Sequence, residues 1–336
     1  MDTLYLDKTQ TNKAASILKN GGIVAIPTET VYGLAANVFN ETAVKNIFKA
    51  KGRPSDNPLI VHISKLNDIY KVVSEFPKKA QQLANKFWPG PLTMILPKNE
   101  SIPNCVTGGM NSVAVRFPSH EIARKIIEES RTPLVAPSAN ISGKPSPTKF
   151  EHVINDLSGK VDALLDGGDC TVGVESTVLS LISEVPTILR PGLITQKELS
   201  SVIGTVKMSK FVFESPSKNT QVISPGMKYK HYSPETEVIL LSGSSPNYSE
   251  YVNLNALKNV GAICFEEDIP FLKVPYISYG KRKCPEQQAK NLFNALRDAD
   301  KLNVKIVYAH FENENEVSDA VFNRLIRAAG FKFIKL

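Results

Sequence analysis

The stretch Gly21-Gly22-Ile23-Val24-Ala25-Ile26-Pro27-Thr28-Glu29-Thr30-Val31-Tyr32-Gly33-Leu34 sets the architecture. Its first six residues form a short apolar run rich in branched side chains, bounded by glycines on one side and proline on the other, which reads as a buried strand. The run stops at Pro27, so the polar triplet Thr28-Glu29-Thr30 falls at a strand end. A strand that delivers hydroxyls and a carboxylate to its end is the unit from which an α/β site is assembled.

Working outward, helical patterns cover 12–19, 41–51, 76–88, 120–129 and 195–202, the third broken by Pro89-Gly90-Pro91. Strand patterns cover 59–63, 92–96, 112–116, 134–136, 161–165 and 174–181. This predicts an α/β domain with many strands and irregular connections over 1–209. Between 210 and 235 Ser, Pro, Asn, Gly and Lys dominate and both periodicities fade, which marks a linker. From 236 to 336 strands at 238–241, 262–265, 274–277 and 305–309 alternate with helices near 248–257, 285–296 and 317–328. That alternation predicts a small three-layer domain with a mainly parallel sheet.

The 336 residues, 42% of them hydrophobic, suffice for two cores. The first ten residues lack the basic and apolar regions of a signal peptide, and no apolar run reaches the roughly 18 residues of a membrane span, so a cytoplasmic protein is expected. Cys105, Cys170, Cys264 and Cys284 stand apart without a metal-ligand spacing and read as reduced thiols. The net charge of +7 is spread along the chain; it suits anionic ligands and is too weak to argue for nucleic acid alone.

The usual nucleotide fingerprints are missing. Gly168 and Gly173 have the glycine spacing of a phosphate loop, but Val174 and Glu175 stand where Lys and Ser or Thr are needed, and no G-x-G-x-x-G occurs. Polar clusters instead recur at several predicted strand ends, which suggests one site built from many loops. Lys51-Gly-Arg53 sets two cations two residues apart, able to converge on phosphate or carbonate oxygens. Ser112, Ala114 and Arg116 share one face of a strand. The loop 137–148 is too rich in prolines and donors for a simple connection and could grip a ribose or phosphate.

With these segments in view, the chain resembles the two-domain threonylcarbamoyl-adenylate synthases, whose catalytic part is a YrdC-like domain. The carriers are P-T-E-T-V-Y-G-L at 27–34, K-G-R at 51–53, N-P-L-I-V-H at 57–62, W-P-G-P-L-T at 88–93, P-S-A-N at 137–140, P-S-P-T at 145–148, G-V-E-S-T at 173–177 and R-P-G at 190–192. The segment from Pro225 to Pro234 points to the longer, two-domain branch. The resemblance implies a large positively charged cavity in a YrdC-like twisted open mixed sheet with helices, followed by a small Rossmann-like domain. It implies ATP, Mg²⁺, bicarbonate and L-threonine as ligands and no protein-held metal. The product would go to a separate transferase complex that modifies adenosine 37 of tRNA. By similarity Thr30, His62, Arg116, Ala136 and Ser176 surround threonine, with Arg116 on its carboxylate. Arg53, Asn57, Ser112, Ser138, Ser146, Arg190 and His231 surround ATP, and Lys51 joins Arg53 over the reacting groups as the catalytic pair. Lys228, Lys230 and His231 suggest a linker that closes as a lid.

Plainer readings stand beside these. His62 on an apolar run also reads as a hydrogen-bonded core histidine, and Lys51 and Arg53 as a solvated helix end. Glu29 reads as a base or as a structural carboxylate, and Trp88 as core more than as an adenine platform. Two other functions fit parts of the pattern: weak binding of RNA without chemistry, against which stands the lack of an RNP-like motif or dense basic stripe, and a carbamoyl-adenylate step in hydrogenase maturation, against which stands the lack of zinc-finger cysteines.

Overall fold

The computed structural model describes residues 2–214 and 232–336. The first domain contains β1 (Leu4–Leu6), α1 (Thr11–Lys19), β2 (Val24–Ile26), β3 (Gly33–Asn37), α2 (Glu41–Lys51), β4 (Ile60–His62), α3 (Lys78–Phe87), β5 (Leu92–Pro97), α4 (Asn104–Thr107) and β6 (Ser112–Arg116). It continues with α5 (Glu121–Ser130), β7 (Leu134–Val135), α6 (Phe150–Leu157), β8 (Ala163–Leu165), β9 (Thr177–Ser180), β10 (Thr187–Arg190), α7 (Gln196–Ile203) and β11 (Lys207–Met208). Among the described residues its strands form one mixed sheet in the order β1-β8-β2-β3-β7-β4-β6-β5-β9-β10-β11.

The expected elements are largely present, with corrections. The strand expected from Gly21 begins only at Val24, because Gly21 has a positive φ and turns the chain out of α1. The helix expected over 76–88 starts at Lys78 after Pro77. The strand expected over 174–181 starts at Thr177, which leaves Val174, Glu175 and Ser176 in a loop. In the first domain four strands, β1, β3, β10 and β11, and two helices, α4 and α6, lie outside the sequence reading, as does the strand Phe333–Lys335 of the second domain.

The second domain contains β12 (Glu237–Ser242), α8 (Ser245–Leu254), β13 (Val260–Phe265), β14 (Tyr276–Gly280), α9 (Pro285–Asp298), β15 (Ile306–His310), α10 (Ser318–Ala328) and β16 (Phe333–Lys335). Its five strands are all parallel, in the order β14-β13-β15-β12-β16. Parallel strands need crossover helices, which is why α8, α9 and α10 alternate with them. No helix among the described residues is long and apolar enough to cross a membrane. The four cysteines are free thiols.

The domains share a core. Val31 and Val174, from loops of the first domain, pack in the same apolar cluster as Leu292, Phe293 and Leu325 of the second. Gly173 lets α9 come close: a Cβ there would lie 2.3 Å from the Lys290 Cα, and its φ of +83° already excludes most side chains. Polar contacts add to this. Asn323 donates to the Val212 carbonyl at 2.7 Å, Arg297 to the Pro145 carbonyl at 2.6 Å, and the Ser233 amide to the Gly143 carbonyl at 2.9 Å.

Candidate active site

The loop after β2 is shaped by its own hydroxyls. Thr28 Oγ1 accepts from the amides of Thr30 and Val31, both at 3.2 Å, so the chain turns immediately after Pro27. The turn presents Thr30 and Glu29 toward β6. There Arg116 Nη1 donates to Thr30 Oγ1 at 2.8 Å, and Arg116 Nη2 lies 2.6 Å from Glu29 Oε1. Burial alone would push the Glu29 carboxyl up, but Arg116 and the Ser119 amide outweigh it and its pKa is lowered. Arg116 Nε is buried with no hydrogen-bond partner among the described residues, a donor that a ligand carboxylate can use.

Register places His62 beside this arginine: β4 and β6 run parallel with His62 opposite Arg116, and Thr93 of β5 pairs with Arg116 from the other side. His62 Nδ1 is 3.1 Å from the Ile60 carbonyl, which can only accept, so Nδ1 carries the proton. Burial, then the neighbouring Arg116, pushes the His62 pKa down to about 3. The ring is therefore neutral at ordinary pH and Nε2 is an acceptor.

Lys51 ends α2, whose Gly52 C-cap adopts a left-handed φ of 61° that turns the chain toward Arg53. Its ammonium is buried and donates to the Ser138 carbonyl and, at 2.5 Å, to the Asn140 carbonyl. It thus anchors the loop 137–148. Burial and the Arg53 charge hold its pKa well below the usual lysine value. Arg53 Nη2 reaches the carbonyls of Pro58 at 3.1 Å and Asn57 at 3.4 Å.

The opposite wall comes from the turn before β9 and the end of β10. Ser176 Oγ sits 2.7 Å from Thr93 Oγ1, and Arg190 donates to Ser176 through Nε to the carbonyl and Nη2 to the hydroxyl. Ser146 Oγ donates to Glu175 Oε1 at 2.6 Å. Arg190 is buried, which lowers its pKa, while the Glu175 carboxylate raises it in part.

These walls line one open cleft. Thr30, Lys51, Arg53, His62, Arg116, Ala136, Ser138, Ser146, Ser176 and Arg190 all line it, so ten of the sequence-derived candidates from distant segments converge. Asn57 and Ser112 do not line it: Asn57 is buried beside it, and Ser112 borders a small neighbouring hollow with Pro58 and Ala114. His231 lies outside the described residues, as do Lys228 and Lys230 of the suggested lid. Trp88 belongs to the core, where Nε1 donates to the Leu92 carbonyl at 2.7 Å.

Sequence reasoning gave no role to several lining residues. Glu175 sits inside a quoted motif, but its type alone does not reveal its partners. Tyr232, near the end of the linker and buried against Phe293 of the second domain, borders the cleft. Asn140 was quoted only as part of a motif, and Lys144 only as part of a loop; both line the cleft. No group of three or more His, Cys, Asp or Glu suited to a metal occurs among the described residues.

With this geometry established, known proteins locate the chain. The family model described as telomere recombination matches residues 16–192, and the one described as the threonylcarbamoyl-AMP synthase C-terminal domain matches 194–330. The threonylcarbamoyl-AMP synthase of Pyrococcus abyssi is 44% identical, over 96% of this chain and 95% of that one. That of Bacillus subtilis is 43% identical, over 99% and 97%. The crystal structure of P. abyssi Sua5 complexed with L-threonine superposes with a TM-score of 0.91 at 41% identity, covering 100% of both chains. Matched in both domains and along nearly its whole length, the chain belongs to the threonylcarbamoyl-AMP synthase family.

Proposed function

We propose that this chain joins L-threonine, bicarbonate and ATP into L-threonylcarbamoyladenylate, releasing pyrophosphate and water, and that a tRNA-modifying transferase complex in the cytoplasm consumes the product. The observation that carries this reading is the convergence of Lys51, Arg53, Arg116 and Arg190 with several hydroxyls in one cleft, a set of donors suited to anionic ligands.

Three anionic reactants must be brought together and an unstable carbamate protected from water, so positioning and charge compensation matter more than acid-base groups. The threonine carboxylate lies on Arg116, whose Nη2 faces Glu29 while Nε remains available. His62 Nε2, an acceptor in a neutral ring, suits a hydrogen-bond donor of the amino acid; Ala136 and Ser176 close the pocket around its side chain. The threonine amine attacks the carbon of bicarbonate, whose C–O bond breaks to release water, or of carbon dioxide, with loss of a proton, and in either case becomes a carbamate. A carbamate oxygen then attacks the α-phosphorus in line, and the bond to the pyrophosphate oxygen breaks.

Arg53, Ser138, Ser146 and Arg190 hold the nucleotide, and Asn57 serves indirectly, its carbonyl orienting Arg53. Lys51 fixes the Ser138 and Asn140 backbone beneath the reacting groups. Mg²⁺ would be held by the triphosphate's own oxygens and would supply charge neutralisation on the leaving group. This suits the donor set, because Glu175 in the cleft wall and Glu29 behind Arg116 are already engaged by Ser146 and by Arg116.

The test is incubation with α-labelled ATP, Mg²⁺, L-threonine and bicarbonate. Pyrophosphate and a labelled adenylate are expected only when both threonine and bicarbonate are present. Pyrophosphate release that ignores threonine would overturn the reading.

A further inference from the structure

Glu175 puts a carboxylate in the wall of a cleft whose ligands are anions, and the residue that compensates it comes from the other domain. Arg324, in α10, is fully buried and does not line the cleft. Its Nε donates to Glu175 Oε2 at 3.0 Å, Nη2 to the Glu175 carbonyl at 3.3 Å and Nη1 to the Pro191 carbonyl at 2.7 Å. One guanidinium therefore holds both backbone segments that carry the cleft's Ser176 and Arg190. The other carboxylate oxygen of Glu175 takes the Ser146 hydroxyl, so the chain of contacts runs from α10 to the loop that grips the nucleotide.

We infer that Arg324 is a positioning residue for nucleotide binding: it neutralises Glu175 from behind, so that the cleft wall presents an oriented Ser146 and no net negative charge to an incoming polyphosphate. The arrangement accounts for why the carboxylate is tolerated at all, since an uncompensated buried charge is costly and would repel the triphosphate at short range. Burial pushes the Glu175 carboxyl up, but Arg324, Arg190 and Ser146 together outweigh it and leave it lowered and ionised. This inference rests on ATP being the ligand of the cleft.

The test uses the full chain and calorimetric titration with Mg-ATP and, separately, with L-threonine. Arg324→Gln is expected to weaken ATP binding roughly 10- to 100-fold, as a unit charge near a polyphosphate in a partly buried site should, and to move threonine affinity much less. Arg324→Lys retains the charge but loses the fork, so it should bind ATP clearly better than Arg324→Gln while falling short of the parent protein, and Arg324→Gln combined with Glu175→Gln should recover most of the lost ATP affinity, by removing the stranded carboxylate. A purely structural role predicts the opposite: the double variant as weak as the single or weaker, the lysine variant no better than the glutamine one, and both ligands affected alike. Either result in proteins with a preserved cooperative melt overturns the inference, as does unchanged ATP affinity in Arg324→Gln. If Arg324→Gln alone does not fold, the lysine and double variants decide by the same criteria. Failure of the parent protein to bind ATP would instead refute the proposed activity.

Discussion

Arg116 Nη2, in the cleft wall, and Glu29 Oε1 behind it lie 2.6 Å apart, with side-chain exposures of 5% and 8%. The arginine comes from the middle of the sheet and the glutamate from the turn that follows β2, so the pair ties the threonine side of the cleft to the loop that opens the first motif. A carboxylate on one side of the guanidinium fixes its plane and leaves its Nε edge for a second carboxylate. Arg116→Lys keeps the charge and loses that fork. The L-threonine dissociation constant is expected to rise tenfold or more by calorimetric titration, with ATP affinity changed less; equal threonine affinity would show that the carboxylate lies elsewhere.

Glu29→Gln strands the buried Arg116 charge. A loss of about 3 kcal/mol in denaturant unfolding is expected, because removing one partner of a buried pair costs far more than the pair contributes. The parent protein has a matching acid limit. Glu29 has a lowered folded pKa, so its contribution is fully present above the ordinary glutamate value of about 4.3 and is lost as pH falls through the lowered folded value. In Glu29→Gln that part of the acid transition should be missing.

His62 acts in a higher window. Its folded pKa of about 3 lies below the unfolded value of about 6.5, so below pH 6.5 the unfolded chain binds the proton that the folded one refuses. Stability should therefore decline as pH falls from about 6.5, with a slope of at most about 1.4 kcal/mol per unit from this residue. His152, pushed down to about 4 by burial and then by Arg297, and His120, also lowered by burial, add to it. His62→Asn should make the decline between pH 6.5 and 4.5 shallower without abolishing it. An unchanged slope in urea titrations across that range would mean that His62 is protonated in the fold.

Lys51→Met preserves the length of the side chain and removes the two bonds to the Ser138 and Asn140 carbonyls. Those carbonyls belong to the loop that carries Ser146. Threonine-dependent pyrophosphate release should fall by about two orders of magnitude or more. Amide exchange over 138–146 should quicken in the same variant, separating loss of the anchor from loss of charge alone.

Gly173→Ala adds a Cβ that would meet Lys290 Cα at 2.3 Å and the Ala289 carbonyl at 2.6 Å, on a backbone with φ of +83°. Backbone atoms of a helix cannot yield as a side-chain tip can. The expected cost is about 3 kcal/mol, combining overpacking with left-handed strain. Chemical denaturation measures it directly, and a cost below about 1 kcal/mol would mean that α9 can shift.

Legibility in the sequence followed the physics of each element. The strands at 112–116 and 260–265 are runs of branched or apolar residues and are readable, although the second is longer than its expected 262–265. Strand β3, Gly33–Asn37, consists of Gly, Leu, two Ala and Asn, and is a strand only because β2 and β7 pair with it. Helix α6 has apolar residues at Phe150, Val153, Ile154 and Leu157, a helical spacing that the proline-rich loop just before it obscured. In the cleft, hydroxyls and cations at strand ends pointed to an anion site, and the ordered motifs supplied the ligands. Arg324 was invisible, since an arginine in an amphipathic helix signals a solvated face until the packing shows what it meets.

The apolar cluster that takes in Val31 and Val174 along with Leu292 and Leu325 has a thermodynamic consequence. The largest cluster lies wholly in the first domain, but the main cluster of the second is completed by residues of the first, so the free energy of melting does not divide cleanly at the linker. Scanning calorimetry should register one peak, with a van't Hoff enthalpy equal to the whole calorimetric heat, and the two units visible in the sequence are a single unit in the partition function.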